Sequence, residues 1–295
     1  MNRLIVSGAG GFLGSHIVTH ARAHGVEIVA ITGRPTSPEG VTAVPTEVFL
    51  RDGLPFDAGG DVFVNCLFPT NANGPRMAQG LETAFQMISK AFDSGIGAFV
   101  NISSQSVYPS KRPSPAKESD ALSLETAYAV GKYSTELFCN RLFRGHPHTN
   151  IRMASLLGVG YDQRIVNRMV RQLVGGEDLK VMGGMQRYGF MDVRDAASGI
   201  LTLADSDPQR WREVYNLGRQ DSVTLEEVAG QIVDIVARRA GIEGRYIVTE
   251  GQDLRNSAID PSRFMADFDW RAEISLDKTI ADIVDDVIGK QERQL

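Results

Sequence analysis

Cysteine is almost absent from this sequence. Cys66 and Cys139 are the only two in 295 residues, and their separation matches neither a metal-ligand nor a paired redox spacing, so both are expected as buried thiols. Long apolar runs are missing too. None approaches the ~20 residues that a membrane-crossing helix needs. Positive charge is not in excess, with 31 Lys and Arg against 36 Asp and Glu and a net charge of -5. The most basic stretch, "RGHPH" at 144–148, is too short to track a phosphate backbone, which excludes nucleic-acid binding. "MNRLIVSG" enters an apolar strand at once and leaves no room for a signal peptide, so a cytoplasmic protein is expected. His16, His20 and His24 repeat at helical spacing. No further His or Cys completes a four-ligand set around them, and no metal is expected.

What is present is an ordinary globular composition, 42% hydrophobic and 23% charged, in a chain long enough for a large buried core. "RLIVSG" (3–8) reads as a buried strand running into glycines. "FLGSHIVTHARAHG" (12–25) has helical periodicity closed by Gly25, and "VEIVAIT" (26–32) is a second strand. Strand, Gly-rich turn, helix and strand in about 30 residues is a βαβ unit. The alternation continues through strands at 61–68, 97–104 and 150–158 and helices near 76–94 and 125–144. This predicts an α/β fold, a Rossmann-type doubly wound parallel sheet over residues 1–158. Beyond 158 the rhythm breaks into a helix near 162–174, short strands near 179–193, a helix to Ala204, "REVYNLG" (212–218), and helices near 224–239 and 276–289, the last started by Ser275. Residues 159–189 and 219–295 are expected to form a smaller mixed α/β substrate lobe on the carboxyl side of the sheet, with 190–218 returning to the first unit. There are no internal repeats, and "KRPSPAKESD" (111–120) is the most loop-like segment.

The turn "GAGGFLG" sets Gly8, Gly11 and Gly14 as GxxGxxG between strand and helix. Glycines there let the backbone approach a pyrophosphate, and the helix amino end offers it free N–H groups. Gly8, Gly11, Phe12, Leu13 and Gly14 are therefore candidate cofactor residues. An acid about 20 residues on selects the ribose 2′-hydroxyl of NAD. Here that position is Thr32 and the nearest charge is Arg34, which can pair with a 2′-phosphate. NADP is favoured, with NAD as the alternative.

In "YAVGK", Tyr128 stands four residues before Lys132. On a helix the two share a face, and an ammonium beside a phenol is expected to pull its pKa below the usual ~10. Spacing alone is equally that of a solvated surface pair.

With these motifs in this order the chain resembles the extended short-chain dehydrogenase/reductase family, the NAD(P)-dependent nucleotide-sugar epimerase, dehydratase and reductase group. The likeness spans nearly the whole sequence: "GAGGFLG", "ISSQSVYP", "YAVGK", "GFMDVRDAASGIL", "VYNLG" and "DPSRFMADFDW". It implies a catalytic set of Ser104, Tyr128 and Lys132, with Ser103 and Ser106 as alternatives for the serine. Tyr128 and Lys132 would also hold the nicotinamide ribose. It further implies substrate contacts at Ser104, Ser106 and Ser155, and a diphosphate-binding arginine at Arg187; Arg152 lies early on a presumed buried strand and fits less well. The Asp-Glu pair of the family's 4,6-dehydratases is replaced by Gln105 and Ser106, neither of which is an acid or base at neutral pH. The His-Ala-Ala-like strand end reads "NCLFP", an altered wall beside the cofactor. The expectation is an NADPH-dependent reductase of a keto group on a nucleoside-diphosphate sugar, acting as a homodimer through the helices near 76–94 and 125–144. The alternatives are an NAD-retaining C4 epimerase, a reductase of a non-sugar carbonyl, and a non-catalytic dinucleotide-binding regulator.

Overall fold

The computed structural model describes residues 1–33, 40–69 and 74–293. The first half alternates as the periodicity predicts: β1 (Arg3–Ser7), α1 (Phe12–Ala23), β2 (Glu27–Thr32), β3 (Thr42–Pro45), α2 (Thr46–Asp52), β4 (Val62–Asn65), α3 (Gly74–Asp93), β5 (Ala98–Ser104), α4 (Ala127–Leu142) and β6 (His148–Met153). The second half runs β7 (Ser155–Leu157), α5 (Ile165–Val174), β8 (Leu179–Met182), β9 (Arg187–Tyr188), β10 (Phe190–Asp192), α6 (Val193–Asp205), β11 (Val214–Leu217), β12 (Val223–Thr224), α7 (Leu225–Ala240), β13 (Tyr246–Thr249), α8 (Ser262–Phe268) and α9 (Leu276–Glu292).

Seven strands form one parallel sheet in the order β11-β6-β5-β4-β1-β2-β3. Its chain order reverses between β1 and β4, the switch point at which such sheets open a crevice at their carboxyl edge. Both faces are covered, so the strands read as apolar runs rather than alternations. The fold is the expected doubly wound α/β sheet. One strand departs from expectation. The apolar run 150–158 is two strands, β6 in the main sheet and β7 paired in parallel with β10. Periodicity sees a continuous apolar run and cannot register where the chain leaves one sheet for another.

A second core lies under α5, α7 and α9, with Val170, Leu173, Val228, Ile232, Ile283 and Val284 at its centre. α7 is started by a reciprocal capping box. The Thr224 N–H donates to Glu227 at 2.7 Å, and the Glu227 N–H donates back to the Thr224 hydroxyl at 3.1 Å.

The main core contains an uncommon amount of polar chemistry, and nearly all of it is paired. Ser7, Asn65, Asn101 and Asn150 are register partners on four adjacent strands. Their side chains bond in sequence at 2.6, 3.4 and 2.9 Å. Beside this ladder Glu136 of α4 and Arg152 of β6 form a buried ion pair at 2.8 Å. The same arginine donates to the Tyr108 hydroxyl at 3.0 Å, and that hydroxyl donates to Asn216 at 2.8 Å. A buried pair is costly to break because the remaining charge has no water. Arg152→Met is therefore expected to lower unfolding free energy by about 3–5 kcal/mol. Replacing Glu136 and Arg152 together with apolar residues is expected to cost much less. Urea unfolding of the single and double variants checks this.

Candidate active site

The cofactor turn fits a dinucleotide. Gly8 sits at φ +65, a region open to glycine, and a Cβ there would lie 3.0 Å from the Cys66 backbone. At Gly14 a Cβ would lie 2.3 Å from the Gly8 carbonyl oxygen, so α1 can pack on the turn only through glycine. Gly11 is the N-cap of α1, which has no side-chain cap and no acid in its first turn. Its amino-terminal N–H groups are thus available to an anion. Phe12 and Leu13 are half-buried against the main core. Thr32 ends β2 and is buried. Arg34, on which the NADP expectation rests, lies outside the described residues.

Across the crevice, three successive residues of β5 each meet one turn of α4. The Lys132 ammonium donates to the Ile102 carbonyl at 2.7 Å. Ser103 donates to Glu136. The Ser104 hydroxyl lies near the Tyr128 phenol and favours its ionised form. These helix residues are spaced i, i+4 and i+8 and share one face. Ser106 donates to the Ser104 oxygen through its N–H at 3.2 Å and its hydroxyl at 3.0 Å. Ser103 is occupied by the buried carboxylate, which leaves Ser104 as the serine next to the phenol.

The electrostatics correct one expectation. Burial pushes the Tyr128 phenol above its ordinary value, and Ser104 with the nearby Arg164 only offset this in part. Lys132 is not what tunes it. Its ammonium lies 5.9 Å from the Tyr128 ring centre and points to Ile102 instead. Burial pulls Lys132 itself down to about 7. Spacing placed the two side chains on one face but could not show where the ammonium points.

The altered wall has a structural meaning. Phe68 lays its ring face 3.9 Å from the Lys132 ammonium and meets Tyr128 edge-on, centroids 5.4 Å apart at 87°. Gly131, just before Lys132, makes room for it, since a Cβ there would lie 3.1 Å from the Phe68 ring. Cys66 on the same segment is half-buried, and burial pushes its thiol up to about 12. Cys139 is buried.

The remaining candidates are spread around the crevice. Ser155 begins β7 and is half-buried. Arg187 is exposed on β9, with one nitrogen 3.4 Å from the Ser222 hydroxyl. Arg152 is spent on Glu136. Sequence reasoning missed Arg255, whose carbonyl accepts from the Arg187 N–H at 2.8 Å, so two arginines occupy neighbouring backbone positions. It also missed Asn167, which is buried and donates to the Gly158 carbonyl at 2.9 Å while its own oxygen has no partner. No local pattern marks either. His16 and His24 each bond a helix carbonyl at 2.8 Å, and among the described residues no cluster of His, Cys, Asp or Glu is arranged to hold a metal. No helix among the described residues is long and apolar enough to cross a membrane.

A glycine cradle at a sheet switch point, facing a tyrosine beside a serine and a buried lysine, defines the class: an NAD(P)-dependent enzyme of the oxidoreductase type. The sequence model of the NAD dependent epimerase/dehydratase family matches residues 4–218, and the chain belongs to that family. It is 25% identical over 269 residues to a dTDP-4-dehydro-6-deoxy-D-allose reductase of a Streptomyces species, covering 80% of this chain and 81% of the relative. It is 24% identical over 318 residues to UDP-glucuronic acid decarboxylase 1 of Arabidopsis thaliana, covering 96% and 69%. The solved UDP-glucose 4-epimerase of Thermus thermophilus, a complex with NAD, superposes with TM-score 0.81 at 20% identity over 97% of this chain and 99% of that one.

The Lys132 position carries a stability prediction. Its folded-state pKa is depressed, so the desolvated charge opposes folding most strongly below about pH 7, where both states are protonated. That opposition fades as pH rises toward the ordinary lysine value. Lys132→Met is expected to stabilise the fold by about 3–5 kcal/mol near pH 6. Urea unfolding near about pH 6 and about pH 10 should show that gain shrinking at the higher pH.

Proposed function

We propose that the protein reduces a keto group on a nucleoside-diphosphate sugar with NADPH. The observation that carries this reading is the Tyr128 phenol at the crevice, near Ser104 and on one helix face with the buried Lys132, where burial favours its protonated form. A reduction needs a proton donor at the reacting oxygen, whereas a reaction that begins by oxidising a sugar hydroxyl needs a base. Bound nicotinamide supplies the hydride. Tyr128 gives its proton to the substrate oxygen, and Ser104 donates a hydrogen bond to the same oxygen. The Lys132 ammonium, now on Ile102 and Phe68, turns to the nicotinamide ribose. Arg187, with Arg255 beside it, takes the diphosphate. Arg255 is already paired with Asp253 at 2.5 Å, so Arg187 carries more of that charge, and Ser155 and Ser106 complete the sugar pocket. Gln105 and Ser106 supply no acid-base pair for elimination of water, which argues against a dehydratase.

The preference for NADP over NAD rests on the sequence, on Thr32 where an acid would select NAD and on Arg34 as the nearest charge. A C4 epimerase is the second reading, favoured by the NAD in the Thermus neighbour. We further infer a homodimer on α3 and α4. Val130 and Leu137 of α4 are exposed, and a groove on α3 is lined by Leu81 and Phe85.

Tyr128→Phe is expected to lower kcat by about 10²–10⁴-fold in an assay of NADPH consumption with a 4-keto sugar nucleotide, while the Kd for NADPH stays within about threefold. The protein should be isolated without bound nucleotide and bind NADPH more tightly than NADH. Near-stoichiometric NAD released on denaturation would favour the epimerase.

A further inference from the structure

Lys132 is only 5% exposed, and two neighbours close off its ammonium. The Ile102 carbonyl accepts from it at 2.7 Å, and the Phe68 ring lies with its centre 3.9 Å away. A further group reaches this ammonium only by replacing one of the two. Ile102 belongs to β5, an interior strand bonded to β4 on one side and β6 on the other, so its carbonyl is held by the sheet. Phe68 lies beyond the end of β4, in no strand or helix, and is half-buried. Its hold on the ammonium is a ring contact with no hydrogen bond.

The backbone on either side of Phe68 is nevertheless pinned. Before it, Cys66 and Leu67 press on the cofactor turn, where a Cβ at Gly8 would lie 3.0 Å from both. After it, Pro69 presses on α3, where a Cβ at Gly80 would lie 2.4 Å from the proline ring. The freedom of this stretch is therefore in the Phe68 side chain, which moves between staggered rotamers. The same ring meets Tyr128 edge-on, so one side chain touches both the tyrosine and the lysine of the site.

We propose that Phe68 is a positioning residue for Lys132: its ring keeps the ammonium on Ile102 in the empty site and swings aside when the nicotinamide ribose is received, so that the dinucleotide exchanges at each turnover instead of being retained. This rests on the reading above in which Lys132 receives that ribose, and adds how the cofactor is let go. The ring contact given up on binding is regained on release, which weakens the bound state relative to a site with a small residue at this position. A reductase that consumes one reduced nicotinamide per turnover needs a cofactor that leaves. An enzyme that regenerates its nicotinamide in place does not.

The test is equilibrium and stopped-flow binding of NADPH and of NADH to the whole protein, read by nicotinamide fluorescence. Wild type is compared with Phe68→Ala, Phe68→Leu, Phe68→Tyr, Lys132→Met and the Phe68→Ala, Lys132→Met double variant. Phe68→Ala is expected to bind the preferred dinucleotide about tenfold more tightly, mainly through slower release. Phe68→Leu, which keeps bulk without a ring face, is expected to show part of that gain, and Phe68→Tyr to stay within about twofold of wild type. In the Lys132→Met background the gain from Phe68→Ala is expected to vanish. A damaged fold cannot mimic a gain in affinity. Unchanged or weaker binding by both Phe68→Ala and Phe68→Leu would overturn the proposal, as would a gain that persists without Lys132. If Lys132→Met weakens binding while neither Phe68 variant tightens it, this proposal falls alone. If Lys132→Met binds as tightly as wild type, the ribose reading falls and this one falls with it.

Discussion

The site depends on how α4 is laid against the carboxyl end of β5. Ile102, Ser103 and Ser104 meet Lys132, Glu136 and Tyr128, three residues one helical turn apart. Glu136 fixes how α4 lies on β5. Its carboxylate is buried and must keep both Arg152 and Ser103, so α4 cannot slide without stranding a charge. The position of the Tyr128 phenol is therefore fixed from two turns away, by a buried ion pair.

The same burial decides the resting chemistry. A lysine in water would be a full cation, and a tyrosine beside it would be an easier acid. Here the low-dielectric surroundings act on each side chain separately, moving the lysine toward neutrality and the tyrosine toward the protonated form. Phe68 enforces this by covering the ammonium that a ribose hydroxyl would otherwise receive.

Much of the architecture was legible because its causes are local. Gly8 and Gly14 are required by turn and packing geometry within one βαβ unit, and the Tyr128–Lys132 spacing needs only a helix. Ser275 starts α9 as a side-chain cap, a signal that lies within four residues. What escaped the sequence is set by contacts distant in the chain. The division of 150–158 into β6 and β7 depends on β11 and β10, strands more than thirty residues away. The direction of the Lys132 ammonium depends on Ile102 and Phe68. Arg187 was expected as a diphosphate-binding arginine; it lies exposed on β9, and its neighbour Arg255, distant in the chain, joins it through backbone bonding. The sequence sign for the Tyr128 pKa was wrong for the same reason: spacing gives proximity, and burial gives the sign.

The most direct measurement is an ultraviolet difference titration of the unliganded protein, wild type minus Tyr128→Phe, which isolates the ionisation of this one phenol. A half-buried phenol whose surroundings favour the protonated form predicts no Tyr128 phenolate below about pH 10. A phenolate forming near neutral pH would contradict it. The tyrosine would then be a base at rest, coupled to Lys132 after all, and an enzyme that begins by oxidising its sugar would take the place of the reductase.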